Sequence, residues 1–180
     1  MKRLSYWLLP LLLFCLLLTG CSSEEKDLSK AKVDEFLTLY QSLDSSAGNC
    51  LANQMGDTIV EFKGMQTVLA QKMTFETGKV KKEGEYYLVT VKIQNVDFAA
   101  AFEAVQQEVT PTASTEEILV LLQQKLTAED AVMREFKVEV PVQKNGDAYE
   151  IVMNGELSNA LFGGYNEYLS KLTGEMLNEK

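Results

Sequence analysis

Residues 136–153 read FKVEVPVQKNGDAYEIVM. Phe136, Val138, Val140 and Val142 alternate with Lys137, Glu139, Pro141 and Gln143, a period of two that puts the apolar side chains on one face of a strand. Asn145-Gly146 suits the two positive φ angles of a type I′ turn, so the chain is expected to reverse there into Tyr149, Ile151 and Met153. Pro141 has no N–H for a ladder, which predicts an edge strand or a bulge at that point. A second pair of strands lies upstream. Met73, Phe75 and Thr77 alternate with polar residues, Lys82-Glu83-Gly84-Glu85 resembles a turn, and Tyr87, Val89, Val91 and Ile93 then alternate with Thr90, Lys92 and Gln94. Each hairpin has one greasy face and neither closes a core alone. The pattern predicts an α+β fold in which two antiparallel hairpins pack on helices.

The helices are legible from period and caps. Val33, Phe36, Leu37, Tyr40 and Leu43 recur at helical spacing over residues 28–43, with Lys30, Lys32, Asp34 and Glu35 opposite them. Asp44-Ser45-Ser46 is read as a break, followed by a short helix through Cys50, and Ile59, Phe62, Met65, Val68 and Leu69 mark a further helix after Gly56-Asp57. Asp97 is a cap for a helix through Phe98, Ala101, Phe102 and Val105, and Thr110-Pro111-Thr112-Ala113 is loop. Ser114-Thr115-Glu116-Glu117 is a capping box opening a helix with Ile118, Leu119, Leu122 and Leu126. Residues 157–162 form a helical turn stopped by Gly163-Gly164, and a last helix carries Tyr165, Tyr168, Leu169 and Leu172.

The other end of the chain has a different grammar. Met1-Lys2-Arg3 is followed by an apolar run over residues 6–18, interrupted by Pro10 and ending at Leu18-Thr19-Gly20-Cys21, the layout of a secretory signal peptide. The run is shorter than the roughly 20 apolar residues a helix needs to cross a bilayer. Leu18-Thr19-Gly20-Cys21 resembles the lipobox of bacterial lipoproteins, and that resemblance implies cleavage before Cys21 and a diacylglyceryl thioether on its sulfur. Residues 1–20 are then a cleaved signal, 21–27 the lipidated Cys and a short polar tether, and 28–180 one domain. An extended tether reaches about 20 Å. Two acyl chains hold a protein firmly where one is marginal. The expected location is the extracytoplasmic face of the cell membrane, with the bilayer as the first partner.

Composition narrows the chemistry. Loss of Lys2 and Arg3 with the signal takes the net charge from −9 to −11, which disfavours nucleic acid and gives no polybasic pull toward anionic lipid. The chain has no histidine and three cysteines. Ser-His-Asp triads, Cys-His dyads and His-containing metal sites are therefore excluded. Cys15 leaves with the signal and Cys21 takes the lipid, so Cys50 has no disulfide partner in the mature chain. Its spacing with Leu43, Ala47 and Leu51 marks it as a small buried apolar residue. Glu116-Glu117 and Glu129-Asp130 lack the alternating ligands and central Gly of a calcium loop, and helix N-terminal charge accounts for them. No metal and no cofactor besides the covalent lipid are expected.

The order of elements, with Val91-Lys92-Ile93-Gln94-Asn95-Val96-Asp97-Phe98 before an Ala-rich helix and Leu161-Phe162-Gly163-Gly164 after the last strand, resembles the cystatin-like, NTF2-like cone of uncharacterised lipoproteins of Gram-positive bacteria. That resemblance implies an α+β cone in which a curved antiparallel four-stranded sheet packs on N-terminal helices; the helix after Ser114 departs from its simplest version. The resemblance implies a pocket between sheet and helices, for which Tyr40, Phe75, Tyr87, Ile93, Phe136 and Tyr149 are the candidate lining. An enzyme of this kind needs a Tyr donor beside an acid. Tyr40, Tyr87 and Tyr149 face the core, but Asp34, Glu35, Glu139 and Glu150 fall on solvent faces and Asp97 is a cap. No catalytic residue is assigned. Two roles remain: a monomeric envelope module that engages a membrane or envelope protein through the edge at Pro141 or the loop at residues 110–114, or a binder of a small apolar ligand inside the cone. The interaction module is the expected one, because side chains fill a core by default. Cys21→Ala is expected to abolish metabolic labelling with a radioactive fatty acid, and continued labelling would refute the lipid assignment.

Overall fold

Alternating strands need a cover for their apolar face, and the sheet finds it in the first helix. A computed structural model describes residues 5–43 and 63–178, with side chains over residues 23–43 and 65–174. The elements run α1 (Ser5–Gln41), α2 (Lys63–Lys72), β1 (Thr74–Glu83), β2 (Tyr86–Val96), α3 (Phe98–Glu108), α4 (Thr115–Thr127), β3 (Met133–Asn145), β4 (Ala148–Ile151), α5 (Gly155–Leu161) and α6 (Tyr165–Asn178). The fold is α+β, with one open antiparallel sheet in the order β1-β2-β3-β4. The expected break at Asp44-Ser45-Ser46, the short helix through Cys50, and Ile59 and Phe62 lie outside the described residues.

Val33, Phe36, Leu37 and Tyr40 on α1 are buried against Tyr87, Val89, Val91 and Ile93 of β2 and Val138, Val140 and Val142 of β3. The opposite face of the sheet carries Lys92, Gln94, Lys137 and Glu139 into solvent. This is the division that period-two alternation requires. Leu43, counted with the apolar stripe, lies beyond the helix end in a left-handed conformation with φ 59° and is exposed. The stripe had ended one turn earlier.

The sheet bears on three readings. First, Asn145 pairs with Ala148, so the two loop residues are Gly146 and Asp147, not Asn145 and Gly146. Gly146 has φ +62° and no non-glycine in either hairpin has positive φ, the arrangement of a turn with glycine at its first central position. The first hairpin does the same with Gly84, φ +60°, between Glu83 and Tyr86. Second, the edge expected at Pro141 is present: β3 pairs with β2 alone up to that residue and has a neighbour on both sides only at Val142 and Gln143. Pro141 is accommodated because β4 ends at Ile151. The Pro141 carbonyl accepts from Val152 N–H at 2.9 Å, and since a residue's N and O point to the same neighbour, its missing donor faces the place where β4 stops. Third, β1 runs past Thr77 through a bulge: Thr77 pairs with Val91 but Val80 with Val89. The extra residue at Gly78-Lys79 shifts the parity, so Val80 and Lys82 point to the inner face.

A second cluster sits beyond the base of the sheet. Phe98, Ala101 and Val105 of α3 pack on Leu122 and Leu126 of α4, with Leu69 and Phe162. Tyr165 and Tyr168 meet the ring of Phe98 at centroid distances of 4.9 and 5.8 Å. The expected caps form. Asp97 accepts from the N–H groups of Ala99 and Ala100, and Ser114 and Glu117 make a reciprocal capping box. Leu119 and Leu169, counted among the apolar positions of their helices, are exposed, although Leu119 shares a side of α4 with the buried Leu122 and Leu126.

The two clusters meet at Gly163. Its carbonyl accepts from Phe98 N–H at 2.9 Å, its φ is +61°, and a Cβ there would sit 2.3 Å from the Val96 carbonyl oxygen. Left-handed backbone alone costs a non-glycine residue about 1–2 kcal/mol. Gly163→Ala is therefore expected to lower the unfolding free energy by more than about 2 kcal/mol, the clash adding to the backbone cost. Gly155→Ala, where nothing lies within 4 Å, should change it little. Urea denaturation of the two variants checks this.

Candidate functional site

Residues 22–27 contain no apolar stripe, yet they are helical, part of α1. This replaces the expected extended tether with two further turns, and those turns bring a carboxylate to the sheet. Glu25, Ser29 and Val33 are spaced i, i+4, i+8 and share one face of the helix. Ser29 is fully buried, and its hydroxyl donates to the Glu25 carbonyl at 2.7 Å. The Glu25 side chain thereby reaches the hairpin ends of the sheet.

Three strands close on it. The Tyr87 hydroxyl, on β2, donates to Glu25 Oε2. Lys144 Nζ, on β3, donates to Glu25 Oε1 at 2.7 Å. Lys82 Nζ, on β1, donates to the Tyr87 oxygen at 3.1 Å and stands 3.9 Å from the carboxylate. The bulge in β1 is what turns Lys82 inward, because regular alternation from Thr77 would have pointed Glu83 there instead. Lys144 also lies 5.9 Å from the Tyr149 ring centroid, and the Tyr87 and Tyr149 rings are 6.4 Å apart.

The electrostatics are those of a clasp. The hydrogen bonds from Lys144 and Tyr87 hold the Glu25 carboxyl below its ordinary range. Lys144 is raised by its bond to Glu25, and Lys82 by its bond to Tyr87. An acid poised for proton transfer near neutral pH needs the opposite shift. Asp34, placed on the solvent face by sequence, instead accepts from Thr77 Oγ1 at 2.8 Å and fixes the middle of α1 to β1.

All six pocket candidates belong to one cluster. Tyr40, Tyr87, Ile93 and Phe136 are buried in it, and Phe75 and Tyr149 pack on it half-buried. Tyr40 donates to the Leu161 carbonyl at 3.2 Å, and burial pushes its hydroxyl pKa up. Asn95, also buried, donates to the carbonyls of Ala160 and Leu161 at 3.2 and 3.0 Å. Tyr40 and Asn95 together satisfy the C-terminal carbonyls of α5, which closes the mouth of the sheet.

A groove of about 530 Å³ lies elsewhere, at the corner between α3 and α4. Val109, Val120 and Leu121 form its apolar lining, and Glu108, Glu116 and Glu117 its acidic margin. Glu108 is bound by Lys125, and Glu117 accepts from Ser114 N–H at 2.7 Å, which lowers its pKa. This is the loop at residues 110–114 that the sequence offered as an interaction point. Among the described residues no group of three or more His, Cys, Asp or Glu is arranged to hold a metal ion. Nor is any described helix long and apolar enough to cross a membrane.

Comparison with protein-family models, curated proteins and solved structures finds no match to this chain. Geometry is the guide to function.

The clasp has a definite pH window. A carboxyl held low contributes stability above its unfolded value of about 4.3 and loses it as pH falls through the lower folded value. Lysines held high contribute below about 10.4 and lose it as pH rises through the raised folded value. Amide exchange at residues 23–31, corrected for its intrinsic pH dependence, is expected to be slowest between those limits and to speed up several-fold on either side. Glu25→Gln should flatten the acid limb. An unchanged acid limb in that variant would show that Glu25 does not hold the helix.

Proposed function

We propose that the chain is the precursor of an extracytoplasmic lipoprotein, held to the cell membrane by a diacylglyceryl group on Cys21, and that its domain is an NTF2-like cone acting as a non-enzymatic protein-interaction module of the envelope. The cone reading is supported by the antiparallel sheet with α1 lying along its one apolar face. Packing of the six candidate pocket residues on one another supports a filled interior over a ligand cavity. The non-enzymatic reading is supported by the candidate tyrosines: Tyr40 is committed to a backbone carbonyl, and Tyr87 to a carboxylate that stays ionised.

The observation that carries the interaction reading is on α4. Leu119 and Val120 are 49% and 51% exposed, next to a groove with an apolar floor and an acidic margin. Apolar exposure beside a concave surface, rimmed by charge, suits a partner segment with an apolar stripe and basic flanks.

A photo-crosslinking residue at Val120, in the full chain in native membranes, is expected to give one discrete protein adduct. Leu119→Asp should cut its yield by about tenfold, close to 1.4 kcal/mol of lost apolar contact. No adduct at Val120, with a small apolar molecule copurifying in native mass spectrometry, would replace this reading with the interior ligand site.

A further inference from the structure

We infer that the hairpin end of the sheet is the face this domain turns toward the bilayer, docked on the lipid headgroup layer, and that α1 with the Glu25 clasp fixes that orientation. The inference rests on the lipid anchor at Cys21 proposed above. Its basis is the distance between anchor and clasp. α1 is continuous over Ser5–Gln41, so Cys21 and Glu25 are one helical turn apart, about 6 Å along the axis. An extended segment over residues 22–27 would let the domain tumble at the end of a leash about 20 Å long. A helix whose next turn is bonded to β2 and β3 and faces β1 does not.

Both hairpin tips lie at this end. Glu83 pairs with Tyr86, Tyr86 with Gln143, and Asn145 with Ala148, so Gly84-Glu85 and Gly146-Asp147 project side by side beyond the clasp. α1 enters over these tips and leaves at the base, where Tyr40 bonds Leu161 and Gln41 Nε2 donates to the Met73 carbonyl. The surface chemistry suits headgroups. Tyr86 is 38% exposed, and tyrosine favours the membrane interface. Lys81 and Glu83 share its outer face, Lys82 and Lys144 lie on the inner face, and Glu85 and Asp147 are at the tips, a mixed end without a net pull toward anionic lipid. Helix geometry sets the orientation, and charge does not. The α3–α4 groove belongs to the cluster beyond the base, which contains no strand residue except Val96. It faces away from the membrane.

The chain carries one tryptophan, Trp7, which departs with the signal, so any introduced tryptophan is a unique probe. Tyr86→Trp, Glu85→Trp and Leu119→Trp lipoproteins would be reconstituted in phosphatidylcholine vesicles with a nitroxide on the headgroup of a fraction of the lipids. Strong quenching at positions 86 and 85 and little at 119 is expected, unchanged when phosphatidylglycerol is added. Adding Glu25→Ala and Lys144→Ala should shrink the difference. Equal quenching at the tips and at 119 in vesicle-bound protein would overturn the orientation and leave the anchor standing. Protein that stays out of the vesicle fraction would overturn both. A difference that survives loss of the clasp would refute its role in holding the orientation.

Discussion

A sheet with a single apolar face cannot stay in water uncovered, and here one helix lies along that face. Val33, Phe36, Leu37 and Tyr40 fill the trough over β2 and β3, and the remaining architecture follows from how that helix is seated. At the base, the Tyr40 hydroxyl reaches the last turn of α5 and joins Asn95 in satisfying its carbonyls. At the hairpin end, Tyr87 and Lys144 hold Glu25. Between them Asp34 meets Thr77. The polar contacts come from Tyr40 within the apolar set, Asp34 beside it and Glu25 two turns before it, so a shift of α1 by one turn breaks all of them together. Register is specified by hydrogen bonds, while the bulk of the stabilisation comes from burial.

The second cluster depends on the first through a narrow joint. Val96, the last residue of β2, packs into the helical cluster, while its carbonyl lies where a Gly163 side chain would be. A backbone-to-backbone approach this close leaves no room for a side chain. The double-glycine stop after α5 therefore does two jobs: it ends a helix, and it lets α3 begin against the chain that follows α5. Lys72, bonded to the Ala128 carbonyl, ties α2 to the end of α4 on the other side of the same joint.

Strand alternation, the Asp97 cap and the Ser114 capping box were readable directly, because each is a local pattern with one physical solution. The hairpin turn was read one residue early. Asn-Gly satisfies a type I′ turn, but that register would oblige Asn145 to adopt left-handed backbone, whereas the observed register asks it only of Gly146. Leu119 lies three and seven residues before the buried Leu122 and Leu126, on the same side of α4, yet is exposed. Only the packing partner decides how far along a stripe burial extends, and partners are not visible in a period. The clasp was half legible: Tyr87 and Tyr149 stood out as inward-facing aromatics. Glu25 did not, because a search for a helix follows apolar residues and stops at Val33, while the same face continues upstream through Ser29 to Glu25. An unbroken i, i+4 series of small and acidic residues running into an apolar stripe was the available signal.

The direction of α1 also determines how this domain bears a mechanical load. If Cys21 is the anchor, as proposed, a pull on it acts nearly along the axis of α1, which is bonded to the sheet at the hairpin end and at the base. The contacts of Val33, Leu37 and Tyr40 are then loaded in shear and share the force, instead of being peeled one after another. Glu25, the contact nearest the proposed anchor, would take the strain first and give way first. A domain anchored as proposed would lose its outermost ionic contacts under tension and recover them while its hydrophobic centre stays closed.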